Sequence, residues 1–233
     1  MFDGEGGGDE RRLVATMVHD LRNPLAALAG NLELLREELG GVALTTTADR
    51  CLADCAALVT RALTMVATIG DADALAAGTV VVRRSPARLA AEVVAALTTI
   101  DAVVQTRSLT IERAVPEELT ADVDVRLIGR VLQNLLDNAV RYTPRGGTVA
   151  IRAERDGAEV VLAVGNSGPA LADGDRARVF ERDFRSDARE EGARRGHGLG
   201  LYFCRLVAEA HGGSIAVTSR PTLPIEFALR LPA

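Results

Sequence analysis

The chain has no tryptophan, two tyrosines and five phenylalanines, and none of its 27 basic residues is a lysine. With aromatics at 3% of 233 residues, the core of one or two domains must be built from aliphatic side chains, of which there is ample supply at 48% hydrophobic content. Any cationic contact to a phosphate must come from arginine. A net charge of −5 argues against a nucleic-acid-binding surface. Cysteine is scarce too. Cys51, Cys55 and Cys204 have no metal-site spacing, and their odd number suits a reducing compartment. Cys51 and Cys55, one helical turn apart, read as small buried hydrophobes. No stretch reads as a membrane span, and the acidic, glycine-rich Met1–Glu10 lacks the form of a signal peptide and reads as a flexible N-terminus. The expectation is a soluble, cytoplasmic protein without membrane insertion.

What is present begins with a heptad. Val14, Val18, Leu21, Leu25, Leu28, Leu32, Leu35 and Leu39 alternate steps of four and three, the seam of a bundle helix. His19 falls one residue beyond a seam position, beside Asp20 and before Asn23-Pro24. A packing histidine belongs on the seam, and an imidazole at its edge beside a carboxylate suits nucleophilic attack on a phosphoryl group. A second heptad, Ala48, Leu52, Cys55, Val59, Ala62, Val66 and Ile69, follows Gly40-Gly41 and ends at Gly70, which predicts a helical hairpin over 11–70. One hairpin cannot bury both sides of its seams, so a homodimer forming a four-helix bundle is expected. Pro24 should loosen helix one just past His19.

After a linker over 71–79 the pattern becomes mixed, over 80–233. Val80–Arg83 reads as a strand and Ser85-Pro86 as the start of a helix to Ile100. Strands are expected at Leu109–Glu112, Thr148–Glu154, Glu159–Val164, Ser214–Thr218 and Ile225–Leu231, with helices at Asp124–Tyr142 and Leu199–His211. The fold class expected is an all-α helical hairpin followed by an α+β sandwich.

Three segments of this second region suit a nucleotide. In Asn134-Leu135-Leu136-Asp137-Asn138-Ala139-Val140-Arg141-Tyr142, the asparagines share a helix face and offer amide oxygens to Mg²⁺, with Arg141 placed for phosphates. Gly165-Asn166-Ser167-Gly168-Pro169 is a tight turn after a strand, where backbone can approach a base. Gly196-His197-Gly198-Leu199-Gly200-Leu201 leads into a helix N-terminus, whose free amides and dipole favour phosphate.

In this order, behind the histidine hairpin, these motifs resemble the catalytic core of two-component sensor histidine kinases from about residue 11 to the end. Val18–Leu25 is similar to the family's H-box, Asn134–Tyr142 to its N-box, Asn166–Gly168 to the first glycine box, Phe180–Arg185 to the F-box and Gly196–Leu201 to the second glycine box. The resemblance implies a dimerisation and phosphotransfer hairpin, then an ATP-binding domain of the histidine-kinase/GHKL ATPase type. It implies that His19 takes the γ-phosphoryl of ATP and passes it to an aspartate of a response regulator receiver domain. In that scheme Asp20 is the general base, and Asn23 orients water when the partner is dephosphorylated. Asn138 holds Mg²⁺, and Asn134, Arg141, Tyr142, Asn166, Gly168, Arg185, Gly196, His197, Gly198, Leu199 and Gly200 line the nucleotide. Asn166 and Asp183 stand where the family commonly has an aspartate and an aromatic, and Ser186–Arg195 suits a lid.

Fewer than twenty residues precede His19, which implies a separate sensor or upstream signalling protein, or a fragment of a longer chain. Two other functions fit parts of the pattern. One is a histidine phosphotransfer protein with a degenerate ATP domain, relaying phosphate through His19 without binding ATP. The other is an ATPase of the wider gyrase and Hsp90 group, which would form no phosphohistidine and leaves the His19 segment unexplained.

Overall fold

The computed structural model describes residues 6–40, 45–182, 184 and 198–233. The chain divides into two compact units, one ending at Ala77 and the other beginning at Gly78.

The first unit is a hairpin of α1 (Gly6–Glu38) and α2 (Thr46–Ala76). Thr45 caps α2 by accepting from the Ala48 amide at 3.3 Å. The heptads divide cleanly. Val18, Leu25, Leu32 and Leu39, seven apart, are half-buried, and they belong to the same hairpin as Leu52, Val59 and Val66, which are buried and also seven apart. The alternate seam positions Leu21, Leu28 and Leu35 remain 53%, 47% and 46% exposed. Half of each seam therefore closes the hairpin, and the other half is left open on α1 and, on α2, at Ala48 and Cys55, while Ala62 and Ile69 are half-buried.

The second unit runs β1 (Ser85–Arg88), α3 (Leu89–Arg107), β2 (Thr110–Ala114), β3 (Thr120–Val123), α4 (Val125–Tyr142), β4 (Thr148–Asp156), β5 (Glu159–Asn166), α5 (Asp175–Arg178), α6 (Leu199–Ala210), β6 (Ser214–Arg220) and β7 (Leu223–Pro232). β1 and β3 form an antiparallel ribbon. The main sheet has order β2-β4-β5-β7-β6, with β2 parallel to β4 and every other pair antiparallel. Its inner face presents Val149, Ile151, Val160, Leu162, Val164, Phe227 and Leu229, all buried. α4 brings Leu127, Ile128, Val131, Leu132, Leu135 and Leu136 against it, each at 0% exposure. Their three- and four-residue spacing makes one wide apolar face, which is why this helix is the centre of the unit. The architecture is the expected helical hairpin followed by an α+β sandwich.

Boundaries differ from the sequence reading for local reasons. Gly6–Glu10, expected to be flexible, already belongs to α1. Gly70 does not end α2: it lies inside the helix, where a Cβ would come 3.0 Å from Val18 Cγ1, so it serves close packing instead. The linker expected over 71–79 is consequently helical to Ala76. Val80–Arg83 is not a strand. Ser85–Arg88 is one, because it pairs with Thr120–Val123, and this moves the start of α3 to Leu89. Cys51 and Cys55 are exposed, on a part of α2 away from Leu52 and Val59, and Cys204 alone is buried. Contrary to the expectation of no span-like stretch, Thr47–Ala76 and Leu89–Arg107 are long and apolar enough by length and composition to cross a membrane. Their alanine content and sparse charge produce this, and α3 buries Leu89, Ala90, Val93, Ala96 and Ile100 within the unit.

One polar junction fixes the ends of two helices. Asp124 caps α4, accepting from the Leu127 amide at 3.3 Å with one oxygen and from the Arg83 amide at 3.1 Å with the other. Its own backbone N–H donates to His211 Nε2 at 3.0 Å. His211, at the C-terminus of α6, donates from Nδ1 to the Val207 carbonyl at 2.8 Å. With one ring nitrogen accepting and the other donating, the ring must be neutral. Burial pushes its pKa below the ordinary value, while the Val207 carbonyl pulls the other way. A folded-state pKa below the unfolded one means that this contribution to stability is fully present above about pH 6.5 and is lost as pH falls. His211→Ala should cost about 1–3 kcal/mol in urea unfolding at pH 7.5, from the orphaned Asp124 amide. The difference from wild type should shrink at pH 5.5; a pH-independent difference would contradict the neutral-ring assignment.

Candidate functional site

The hairpin presents one reactive group openly. α1 continues through Pro24, whose missing N–H leaves the Asp20 carbonyl without its helical donor. His19 and Asp20 are 72% and 70% exposed at their side chains, and His19 Nδ1 lies 3.4 Å from Asp20 Oδ1. This turns Nδ1 toward a carboxylate and leaves Nε2 facing solvent. Asn23, exposed, stands four residues further along the same helix and so on the same face.

In the second unit the half-buried Asn134, Asn138, Arg141 and Tyr142 run along one stretch of α4, the α4 groove. At mid-helix, Asn134 donates from Nδ2 to the Arg130 carbonyl at 3.0 Å, which fixes the amide and assigns Oδ1 to the outward side. That oxygen lies against the start of α6: a Cβ on Gly200 would come 2.9 Å from it. Gly198, at φ 71°, turns the chain into α6 with no side-chain cap, so the amides at Leu199 and Gly200 keep their donors. Amide donors and an uncharged oxygen thus meet at a helix N-terminus, the arrangement that accepts phosphate together with its hard counter-cation.

Two turns further along α4 the groove ends in glycine. A Cβ on Gly168 would come 2.2 Å from the Tyr142 carbonyl oxygen and 2.6 Å from Asn166 Nδ2, so only glycine permits this closeness. Asn166 is 2% exposed, and its Nδ2 has no hydrogen-bond partner among the described residues. A buried, unpaired donor is costly and calls for a ligand acceptor. From Asn134 to Tyr142 the helix rises about 12 Å, with Asn138, Arg141 and Tyr142 half-buried along it. The groove therefore has a polar reading position at one end and an anion position at the other, which fits a nucleoside polyphosphate. Among the described residues no cluster of three or more His, Cys, Asp or Glu side chains could hold a metal, so a cation here would rest on amide oxygens and phosphates.

Residues outside the sequence motifs hold this groove in place. Arg107, in the last turn of α3, donates to the Val140 carbonyl and, at 2.6 Å, to the Thr143 carbonyl, closing the C-terminal end of α4. Buried Thr143 donates to the Ala139 carbonyl at 2.6 Å. Ser167 Oγ accepts from the Thr148 amide at 2.9 Å and ties the glycine turn to β4. Arg130 lies over the Phe203 ring at 4.6 Å, joining α4 to α6. Only a basic residue in a helix's last turn, as at Arg107, is a signal that sequence offers. Arg185, Gly196 and His197, and with them Asp183 and the expected lid Ser186–Arg195, lie outside the described residues.

Comparison with known proteins agrees with both units. A family model described as "His Kinase A (phospho-acceptor) domain" matches residues 9–72. Another, described as "Histidine kinase-, DNA gyrase B-, and HSP90-like ATPase", matches residues 123–233. The chain is similar to the adaptive-response sensory kinase SasA of Nostoc sp., at 32% identity over 235 residues, covering 95% of this chain and 57% of that protein. It is 28% identical over 225 residues to the signal transduction histidine-protein kinase BaeS of Escherichia coli, covering 95% of this chain and 46% of that one. Among solved structures, full-length ShkA in complex with AMPPNP aligns with a TM-score of 0.73 at 25% identity, over 95% of this chain and 45% of that chain. The chain thus spans about half the length of these relatives.

The glycine turn gives a stability test that is independent of any ligand. Gly168→Ala forces a methyl group into the Tyr142 carbonyl and should cost about 1–3 kcal/mol in denaturant unfolding. Gly174→Ala, where a Cβ would meet nothing within 4 Å, serves as the control. Equal midpoints for the two variants would show that the turn is not packed as described.

Proposed function

Because the chain belongs to the two-component histidine kinases, as their catalytic core, we propose that it transfers the γ-phosphoryl of Mg·ATP to His19 and then to an aspartate of a response regulator receiver domain. The observation that carries this reading is the opposite exposure of the two reacting halves. The His19–Asp20 pair is open to solvent, whereas the α4 groove ends in a buried, unpaired amide beside glycines.

In this reading Nε2 of neutral His19 attacks the γ-phosphorus, an N–P bond forms, and the bond to the β-phosphate oxygen breaks to release ADP. Asp20 takes the proton that Nδ1 sheds, so the imidazole does not retain a positive charge. Phosphoryl transfer depends on positioning and charge neutralisation rather than on covalent chemistry by the protein. Asn134, the amides at the start of α6 and Arg141 align the phosphates. When bound, Mg²⁺ supplies charge neutralisation across the phosphates, with Asn138 as its protein ligand. In the same reading Asn23, on the face of His19, orients a water that hydrolyses the partner's aspartyl phosphate, releasing inorganic phosphate and the free carboxylate. The relay alternative, in which the ATP domain is degenerate, is disfavoured by the kept approach of Gly200 to Asn134 Oδ1.

We assign the exposed half-seam Leu21, Leu28 and Leu35 to a second copy of the chain, forming a four-helix bundle. In the same reading α2 belongs to that bundle and α3 to the α/β core, neither to a bilayer, and the protein works in the cytoplasm.

Incubation with Mg²⁺ and γ-labelled ATP should place acid-labile label on the wild type and none on His19→Gln; label surviving on the variant would overturn the assignment. Asn138→Ala should weaken Mg-dependent ATP binding by tenfold or more in calorimetry, about 1.4 kcal/mol; unchanged affinity would remove Asn138 from the site. Leu28→Asp should convert a dimer to a monomer in analytical ultracentrifugation, and a persistent dimer would place the interface elsewhere.

A further inference from the structure

We propose that Asn166 relaxes the choice of nucleobase, so that this site accepts 6-oxopurine nucleotides as well as ATP. The inference rests on the nucleotide-binding reading of the α4 groove and concerns what the groove's inner end selects. Asn166 closes β5, and in the strand's alternation it follows Val160, Leu162 and Val164, so its side chain points to the helix-covered face. It is 2% exposed, and its Nδ2 lies beside Gly168 with no partner among the described residues. A buried side chain with a donor that the described residues leave unpaired is a reading head for whatever fills the groove.

The chemistry of that head decides the specificity. A carboxamide carries one acceptor and one two-proton donor on a planar group, and a half-turn about its last torsion exchanges them. Adenine presents a donor at its 6-amino group and an acceptor at N1. A 6-oxopurine presents the reverse, an acceptor at the 6-oxygen and a donor at N1. Asn166 can pair with either edge by turning over, since no hydrogen bond from Nδ2 to a described residue holds it in one orientation. A carboxylate at this position has only acceptors, so it satisfies a 6-amino group and leaves a 6-oxo group facing a negative oxygen. A site built to hydrogen-bond one edge rejects the mismatched one because a buried polar group is left unpaired. The amide removes that penalty.

The test is calorimetric titration of the whole chain with Mg·ATP and Mg·ITP, for wild type, Asn166→Asp and Asn166→Ala. Inosine triphosphate presents the 6-oxo edge without the extra 2-amino group of guanine. The wild type should bind the two nucleotides within about tenfold of each other. Asn166→Asp should widen the gap in favour of ATP by tenfold or more, and Asn166→Ala should weaken both alike. ATP binding with ITP rejected about a hundredfold by the wild type would overturn the proposal while leaving the nucleotide site standing. A ratio unmoved in Asn166→Asp would overturn it equally. Failure of the wild type to bind either nucleotide would overturn both the proposal and the reading it rests on.

Discussion

A single neutral imidazole ties the two helices that shape the groove. His211 accepts the Asp124 amide at the start of α4 and donates to the Val207 carbonyl in α6, while Asp124 caps α4 and receives the Arg83 amide. Asp124, His211 and Val207 are buried, so each is costly to leave unpaired. Because α6 begins at the anion position and α4 carries the amides, this one contact sets where Gly200 meets Asn134. At the opposite end Arg107 does the same for the C-terminus of α4, beside the Tyr142–Gly168 approach. The site helix is thus held at both ends by polar contacts that take no part in the chemistry.

The hairpin follows a different economy. Its two helices bury a seven-residue repeat between themselves and leave the alternate repeat, Leu21, Leu28 and Leu35, uncovered. Into this simple pattern are set three departures: a proline in mid-helix, a histidine beside the seam and a glycine against Val18. Each weakens a plain coiled coil. All three fall at the level of the exposed His19–Asp20 pair, where a helix able to shift suits the proposed phosphoacceptor, which would meet both a donor and a receiver.

The fold was legible where the periodicity was strong. The two heptads gave the helices of the hairpin, and the strands expected at Thr148–Glu154 and Glu159–Val164 are β4 and β5. Edges failed where pairing overrode local signals. Ser85-Pro86 has the chemistry of a helix start but pairs with Asp122-Val123, and Gly70 looks like a helix stop but is a packing contact. The motifs named Asn134, Asn166, Gly168 and Gly200, and the structure brings Asn134 to Gly200 and Asn166 to Gly168. The supports at His211 and Ser167 were not legible, because their partners are distant in sequence and no spacing announces them; Asp124 was legible as a helix start but not as a partner of Arg83 and His211, and Arg107 only as a basic residue in a last turn. The exposure of Cys51 and Cys55 was misread for a related reason: apolar neighbours in a heptad do not say which side of the seam is covered.

The central claim is that His19 is the phosphoacceptor and uses the nitrogen that Asp20 does not touch. Heteronuclear NMR of the chain phosphorylated from Mg·ATP, with labelled imidazole nitrogens, reads this directly. A phosphorus coupled to Nε2 of His19 is the result expected. A phosphorus on Nδ1, or on another residue, would contradict the account.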